Sequence, residues 1–203
     1  MEPWKDLSTK AIFLNINHID TDMIIPAQYL TSTKKTGYSE GLFIRLKEQD
    51  PKFPLNRYAS GERKVLIAGD NFGCGSSREH AVWALLEYGI QCVIAKSFGD
   101  IFKANSLKNG LLPIQVSAEN YEMLIGLNYD ESNFEVSLKN QTVKVKENIS
   151  FTFKIDPFRK HCLTQGLDDL DYLLNLKNEI ENYRSQNKEN QYFDTTWAVS
   201  KQR

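Results

Sequence analysis

A glycine-rich segment, GDNFGCGSSREH at residues 69–80, carries the side chains of this sequence that are best suited to chemistry. Glycines let a backbone approach a ligand closely, and the start of a helix offers unpaired N–H groups at the positive end of its dipole. Arg78 adds a fork of N–H donors that matches a carboxylate. The segment therefore predicts an anion site with the hydroxyls of Ser76 and Ser77 beside it.

A serine in such a positive field can do more than bind, because the field stabilises an alkoxide and lets the serine act as a base. Ser76 and Ser77 are the two candidates. The alternative is that one serine only caps the helix, with Glu79 or His80 closing the cap. Cys74 is a candidate nucleophile, but cysteines in buried glycine loops are more often inert.

Three common glycine-loop sites do not fit the segment. The dinucleotide-binding pattern GxGxxG is not matched, because Arg78 occupies the position of its third glycine. No acidic residue that could bind a ribose follows the next strand. The lysine of a phosphate-binding P-loop is absent. The GxSxG turn of hydrolases is not matched either, since Ser76 is followed by Ser77 and Arg78.

The elements around the segment alternate between buried strands and helices. Apolar runs and glycine stops predict strands at residues 64–69, 90–95 and 111–116, and helices at 77–88 and 100–109. Parallel strands joined by crossover helices are the economical interpretation. The loop that carries Ser76 would then leave the carboxyl end of a buried strand.

The rest of the chain predicts flanking structure. Alternating residues at 11–17 predict a strand that leads into a turn with Asp20 and Asp22; the two carboxylates are candidates for a metal, though backbone capping is favoured. Residues 28–63 show little periodicity and suggest a long, partly mobile excursion over the surface. Further predictions are a helix at 118–126, an antiparallel meander at 134–138, 142–146 and 150–155, and a C-terminal helical part from Asp156.

Charge and cysteine content limit the classes of partner. Lys and Arg number 25 against 26 Asp and Glu, so the net charge of −1 favours neither nucleic acid nor an acidic membrane surface. The first ten residues lack the apolar core of a signal peptide, and no run approaches a membrane span. Three scattered cysteines suit reduced thiols better than disulfides or a self-contained metal site. A cytoplasmic protein without a metal of its own is expected.

Several motifs together resemble one family. The segment DNFGCGSSREH at 70–80, DTDMIIP at 20–26, SFGDIF at 97–102, NGLLP at 109–113 and DPFRK at 156–160 are similar, in order and spacing, to the swivelling domain of the aconitase superfamily. The resemblance covers residues 8–183, in the form of a separate small subunit. It implies an α/β fold, namely a three-layer β/β/α swivelling domain with a mixed sheet and a C-terminal helical segment. We expect that domain at residues 1–185 and a polar tail at 186–203.

The resemblance also implies a partner and an activity. Small subunits of this kind close over a large subunit that holds a 4Fe-4S cluster, so this chain would bind no cofactor itself. The assembly would interconvert 2- and 3-isopropylmalate, a small dicarboxylate pair, through a dehydrated intermediate in leucine biosynthesis. Citraconate, methylmalate or homoaconitate as substrate, and a non-catalytic anion-binding module, are the alternatives.

Residue roles carry over motif by motif. The resemblance implies that Ser76 is the general base and that Ser77 and Arg78 bind a carboxylate of the substrate. The loop at 28–37 would face the variable group of the substrate, where Leu30 and Thr31 are candidates and Leu30 suits an isopropyl group. Site-supporting roles fall to the remaining motif residues: Asp20, Asp22, Gly73, Gly75, Glu79 and His80.

Overall fold

The computed structural model describes residues 1–30, 36–146 and 149–186. Its strands are β1 (Leu7–Thr9), β2 (Ala11–Leu14), β3 (Val65–Ala68), β4 (Cys92–Ala95), β5 (Leu112–Gln115), β6 (Phe134–Ser137), β7 (Thr142–Lys146) and β8 (Ile149–Thr152). Its α-helices are α1 (Thr21–Ile24), α2 (Ile44–Gln49), α3 (His80–Tyr88), α4 (Asp100–Asn109), α5 (Ala118–Ile125), α6 (Pro157–Gln165), α7 (Asp169–Asn175) and α8 (Lys177–Gln186). Within the described ranges, no helix combines the length and apolarity that a membrane crossing requires.

Four strands form a parallel sheet in the order β2-β3-β4-β5. In its register Ala11 pairs with Val65, Val65 with Cys92, and Cys92 with Leu112. Every residue of β3 and β4 is buried, because layers cover both faces of the sheet, and such strands appear in a sequence as unbroken apolar runs. The predicted parallel strands with crossover helices are confirmed.

The other four strands form an antiparallel sheet in the order β1-β6-β7-β8. The predicted meander is confirmed as β6, β7 and β8. Strand β1, which pairs with β6, was not predicted, since its three residues lie in a polar stretch. Parallel and antiparallel strands are therefore divided between two sheets instead of sharing one mixed sheet.

Two apolar cores define three layers. Leu66, Ala68 and Val93 point from one face of the parallel sheet into a core shared with α3 and α4. Their neighbours Val65 and Ile67 point from the other face into a core shared with the antiparallel sheet. The order is helices, parallel sheet, antiparallel sheet, which is the β/β/α layering that the family resemblance implied.

The expectation of a loose surface excursion at residues 28–63 was wrong in one respect, because several apolar side chains of the described part are buried. Tyr38, Leu42, Phe43, Phe53 and Leu55 are all buried in the helix-side core. Their irregular spacing follows from the short turns and helices that carry them, such as α2 and the 3-10 turn Pro54–Asn56. The described part of the segment therefore crosses the surface but is anchored by side chains that belong to the core.

The chain divides into two compact units, Met1–Leu167 and Asp168–Arg203. The described part of the second unit consists of α7 and α8, and α7 begins with a capping box between Asp168 and Asp171. This confirms the predicted C-terminal helices. The domain limit at residue 185 stays a prediction, and residues 187–203 of the expected tail lie outside the described residues.

Candidate active site

Two loops that leave the carboxyl ends of neighbouring parallel strands form the candidate site. Residues 15–22 follow β2, and residues 69–79 follow β3. The two loops run side by side beyond the sheet, which brings the turn with the two aspartates to the serine motif. Four backbone hydrogen bonds join them: Gly69 N to Ile16 O at 3.0 Å, His18 N to Asp70 O at 2.8 Å, Gly73 N to Ile19 O at 2.7 Å and Thr21 N to Cys74 O at 3.0 Å.

Glycine is required at two points of the second loop. Gly73 has φ +73° and Gly75 has φ +86°, values that side chains with a Cβ rarely adopt. A Cβ on Gly73 would lie only 2.2 Å from Cγ of the buried Phe102 on α4. The close approach that the glycines permit is therefore, at Gly73, an approach to the protein's own core.

The two serines of the motif are exposed. Ser76 is nevertheless fixed on one side by Thr21, whose Oγ1 lies 3.0 Å from Ser76 Oγ and 3.1 Å from its carbonyl oxygen. Sequence reasoning missed Thr21, although it stands between the two predicted aspartates. Ser77 lies next to Ser76 on the open side of the loop.

Arg78 forms an ion pair with Asp22, joining the two loops through their side chains. The arginine side chain is 24% exposed and the aspartate 45% exposed, so the pair lies at the rim of the site. Asp20 instead accepts a hydrogen bond from the backbone N–H of Met23 at 2.7 Å and caps α1. Backbone capping is thus confirmed for Asp20, while Asp22 positions the arginine.

Helix α3 begins at His80, so the prediction of a start at Ser77 was wrong. Residues 76–78 stay outside the helix because Thr21 and Asp22 hold them and the N–H of Arg78 donates to Ser76 O at 2.8 Å. No side chain caps α3, so neither serine serves as its cap. The first turn of the helix therefore begins three residues later than predicted, and the N–H groups of Ala81 and Val82 donate to the carbonyls of Arg78 and Glu79.

Glu79 and His80 both make contacts that orient the helix. Oε1 of Glu79 accepts a hydrogen bond from Asn109 at 2.6 Å, and the same Asn109 side chain accepts one from Trp83 Nε1 at 2.9 Å. The His80 ring packs edge-on against Trp83, with centroids 4.7 Å apart, and against Tyr38 at 5.3 Å. These contacts tie the start of α3 to the end of α4 and to the loop at Tyr38.

Cys74 lies in the loop as a half-buried free thiol. Burial raises the pKa of this thiol, and the negative charge of Asp20 raises it further. A thiol with a raised pKa is a poor nucleophile at neutral pH. Its environment supports the expectation that Cys74 is inert.

A second cluster stiffens the base of the loop. The hydroxyl of Ser97 donates to the Asp70 carboxylate and accepts from the N–H of Asn71 at 2.8 Å. Asn71 has φ +56°, a left-handed conformation that asparagine tolerates better than most residues. The hydrogen bond from Ser97 lowers the pKa of Asp70, so its carboxylate is charged and acts as a structural acceptor.

The expected specificity loop is described only in part. Leu30 ends the 3-10 turn Ala27–Tyr29 and packs, partly buried, against the helix-side core. Thr31, the other candidate, lies outside the described residues. Beyond the gap, the N–H groups of residues 37–39 all donate to the carboxylate of Glu87 on α3 at 2.6–2.9 Å. Sequence reasoning missed this anchor, because its partners are about 50 residues apart.

Nothing in the described part of the chain resembles a metal centre. Across residues 1–30, 36–146 and 149–186, no three His, Cys, Asp or Glu side chains converge as ligands. The carboxylates of Asp20 and Asp22 are used for the helix cap and for the ion pair with Arg78. The described residues therefore do not fit an iron–sulfur cluster.

Comparison with known proteins places the chain in a family. Residues 1–119 match the model of the aconitase C-terminal domain. The chain is 47% identical over 193 residues to the 3-isopropylmalate dehydratase small subunit of Nitrobacter hamburgensis, covering 90% of this chain and 94% of that one. It is 50% identical over 175 residues to the small subunit of the same name from Francisella philomiragia, covering 86% and 92%.

A solved structure agrees with these sequence matches. The crystal structure of a 3-isopropylmalate dehydratase from Methanocaldococcus jannaschii superposes with a TM-score of 0.65 at 28% identity, covering 88% of this chain and 99% of that one. The fold is thus shared with a solved structure, and this chain covers at least 92% of the length of each of these three relatives. This chain belongs to the aconitase C-terminal domain family and, within it, to the 3-isopropylmalate dehydratase small subunits.

Proposed function

We propose that this chain is the small subunit of a hydro-lyase that interconverts 2- and 3-isopropylmalate by dehydration and rehydration in leucine biosynthesis. The observation that carries the proposal is the intact Ser76-Ser77-Arg78 motif beside the aspartate turn, with both serines exposed, in a chain 47% identical to a small subunit of that name. Lyase activity of this class needs a base for a carbon-bound proton and a clamp for a carboxylate. The motif supplies candidates for both.

Ser76 is the proposed base. Its Oγ is exposed on one side and bonded to Thr21 on the other, so an approaching C–H group can reach it. Arg78 and Ser77 are proposed to hold a substrate carboxylate. The ion pair with Asp22 uses one terminal nitrogen of the guanidinium, and the remaining donors of its planar fork can bind a second carboxylate.

The exposure of Ser76 and Ser77 supports a partner that closes the site. A serine alkoxide needs a water-excluded environment, because bulk water competes for every donor that would stabilise it. We propose that the large subunit of the dehydratase supplies this cover and carries the 4Fe-4S cluster, for which the described residues of this chain offer no ligands. A cytoplasmic location, in keeping with three free thiols, is part of the same proposal.

Small subunits that act on citraconate, methylmalate or homoaconitate would have the same catalytic residues. The names of the relatives favour isopropylmalate over these substrates. Leu30 adds weaker support, since burying a few methyl groups of an isopropyl substituent contributes about 2 kcal/mol. A non-catalytic module is disfavoured by the intact serines and arginine.

The test is anaerobic co-expression with the large subunit from the same genome. Ultraviolet absorbance of the unsaturated intermediate is followed with 2- and 3-isopropylmalate and with citraconate, and the small subunit alone serves as the control. We expect turnover only in the mixture, with isopropylmalate preferred. Preference for citraconate would reassign the substrate, and a stable complex without turnover on any of them would contradict the proposal.

The role of Ser76 is tested in the same assembly. Ser76→Ala should lower turnover by at least about 1000-fold, because removing a nucleophile or base from a catalytic unit typically costs that much or more. Co-purification with the large subunit should be unchanged. Ser150→Ala, at an exposed serine of the antiparallel sheet, is the matched control and should keep wild-type turnover.

A further inference from the structure

The hydroxyl of Thr21 points at the proposed base and has no other described role. Thr21 is only 2% exposed, and a buried hydroxyl needs a hydrogen-bond partner. Both contacts of Thr21 Oγ1 are to Ser76, at 3.0 Å to its Oγ and at 3.1 Å to its carbonyl oxygen. A residue that only packed there could be apolar.

The position of this hydroxyl is fixed from several directions. The Thr21 N–H donates to Cys74 O at 3.0 Å, and its carbonyl accepts from Ile25 N at 3.0 Å. Ile24, the last residue of α1, and Ile25, which follows it, are fully buried and anchor the turn in the core. Because threonine is branched at Cβ, few rotamers are open to its side chain. Thr21 therefore presents its hydroxyl to Ser76 from a rigid support.

A single hydroxyl hydrogen on Thr21 has two acceptors to choose from. The carbonyl of Ser76 can only accept, so when Thr21 donates to it, the Ser76 hydroxyl is free to donate to Thr21 Oγ1. When Ser76 has lost its proton, its negative oxygen becomes the stronger acceptor, and the Thr21 hydrogen can turn to it. The same contact thus suits both protonation states of Ser76.

We infer that Thr21 is a positioning residue that orients the Ser76 hydroxyl and donates a hydrogen bond to Ser76 Oγ when that oxygen is deprotonated. This inference rests on the proposed role of Ser76 as base. Proton transfer is balanced within that role: Ser76 Oγ takes the carbon-bound proton of the substrate and later returns it, while Thr21 exchanges no proton. Thr21 need not touch the substrate.

The test compares three variants in the assembly with the large subunit. Thr21→Val keeps the shape and removes the hydroxyl, Thr21→Ser restores the hydroxyl, and Thr9→Val removes the hydroxyl of another buried threonine, in β1 of the antiparallel sheet. A hydrogen bond to a charged group accounts for about 10- to 100-fold in rate. We expect Thr21→Val to lower kcat by about that factor, with KM changed less than about threefold.

Two further readouts separate positioning from packing. In Thr21→Val the rising limb of the kcat–pH profile should move to higher pH, because the Ser76 hydroxyl becomes harder to deprotonate without its donor. Thr21→Ser should recover kcat to within about threefold of wild type, and Thr9→Val should leave kcat and the profile unchanged. A Thr21→Val enzyme with wild-type kcat and profile, or a Thr21→Ser enzyme as slow as Thr21→Val, would overturn the inference.

The result stays distinguishable from failure of the underlying proposal. If Ser76→Ala turns over normally, the base assignment itself fails. If Ser76→Ala is inactive while Thr21→Val is normal, only the inference about Thr21 fails. Should Thr21→Val not assemble, Thr21→Cys takes its place, since a thiol is a weak donor of similar size and the same loss of kcat is expected.

Discussion

Replacement of Gly73 by alanine should destabilise the chain and damage the site at once. Two separate costs add at this position. The left-handed backbone, φ +73°, costs a residue with a Cβ about 1–2 kcal/mol more than glycine. The new methyl group would lie 2.2 Å from Cγ and 2.6 Å from Cβ of Phe102, which is an overpacking cost of about 1–3 kcal/mol.

Phe102 has little room to yield to the methyl group. It is 3% exposed, and its ring packs edge-on against Phe72 at 5.2 Å and stacks against Phe98 at 6.4 Å. We therefore expect a total loss of about 2–5 kcal/mol, out of the 5–15 kcal/mol typical of a folded domain. A loss of about 3 kcal/mol lowers Tm by about 6–12 °C in a chain of this size.

The assay is urea unfolding of the isolated chain followed by far-ultraviolet circular dichroism. Gly61→Ala is the matched control, because Gly61 has φ +78° but open space where its Cβ would lie. It should cost only the backbone term of about 1–2 kcal/mol. Equal losses in the two variants would refute the argument from Phe102. Because Ser76 lies three residues downstream, Gly73→Ala should also lower turnover of the assembled enzyme more than Gly61→Ala.

Three shorter predictions concern other parts of the chain. Arg63→Met should lower the free energy of unfolding in urea by about 2–4 kcal/mol, because the buried guanidinium, 4% exposed, binds Asp130 and two backbone carbonyls. Its control is Arg57→Met, at the exposed side of the same carboxylate, which should lower that free energy by less than about 0.5 kcal/mol. For Glu87, burial raises the pKa, but the three N–H donors outweigh it and the net pKa is lowered. The charge of Glu87 therefore stabilises the fold above the unfolded-state pKa of about 4.3, and this contribution is lost as the pH falls through the folded-state pKa. Glu87→Gln should lower Tm at pH 7 and have less effect on Tm near pH 3. Cys74, whose pKa is raised, should react with iodoacetamide at pH 8 more slowly than glutathione does, as mass spectrometry of the alkylated chain can show.

Local signals account for the parts of the fold that the sequence predicted well. Val65–Ala68 and Cys92–Ala95 are unbroken apolar runs because both faces of a parallel strand are covered. Helix α4 has the predicted limits, since Asp100 lies in its first turn and Gly110 adopts the left-handed conformation after it. In each case the information lies within a few residues of the element.

Elements whose partners are far away in the chain were the ones missed. Strand β1 has three residues and depends on Phe134–Ser137 for its pairing. Helix α3 starts at His80 and not at Ser77, because contacts with the aspartate turn, more than 50 residues earlier, hold residues 76–78 out of the helix. Propensity within the segment cannot reveal such contacts.

The candidate site shows the same division. The motifs predicted that the aspartate turn and the serine loop serve one site, and the structure brings Asp22 to Arg78. Thr21 and Glu87 could not be predicted from spacing, because each acts on a segment about 50 residues distant. The roles of Ser76, Ser77 and Arg78 toward a substrate, and that of Leu30, stay predictions.

The pairing of β1 with β6 has a consequence for folding during synthesis. Thr9 pairs with Phe134, so at about 5–20 residues per second the ribosome needs roughly 6–25 s after making β1 to supply its partner. The parallel sheet is made within that interval, and from the synthesis of β5 until that of β6 the antiparallel sheet cannot close over Val65, Ile67 and Ile94 on the face of the parallel sheet. We expect a nascent chain with this apolar face uncovered to bind chaperones. The yield of folded protein in a heterologous host should therefore depend more on the amount of chaperone than on the final stability of the fold.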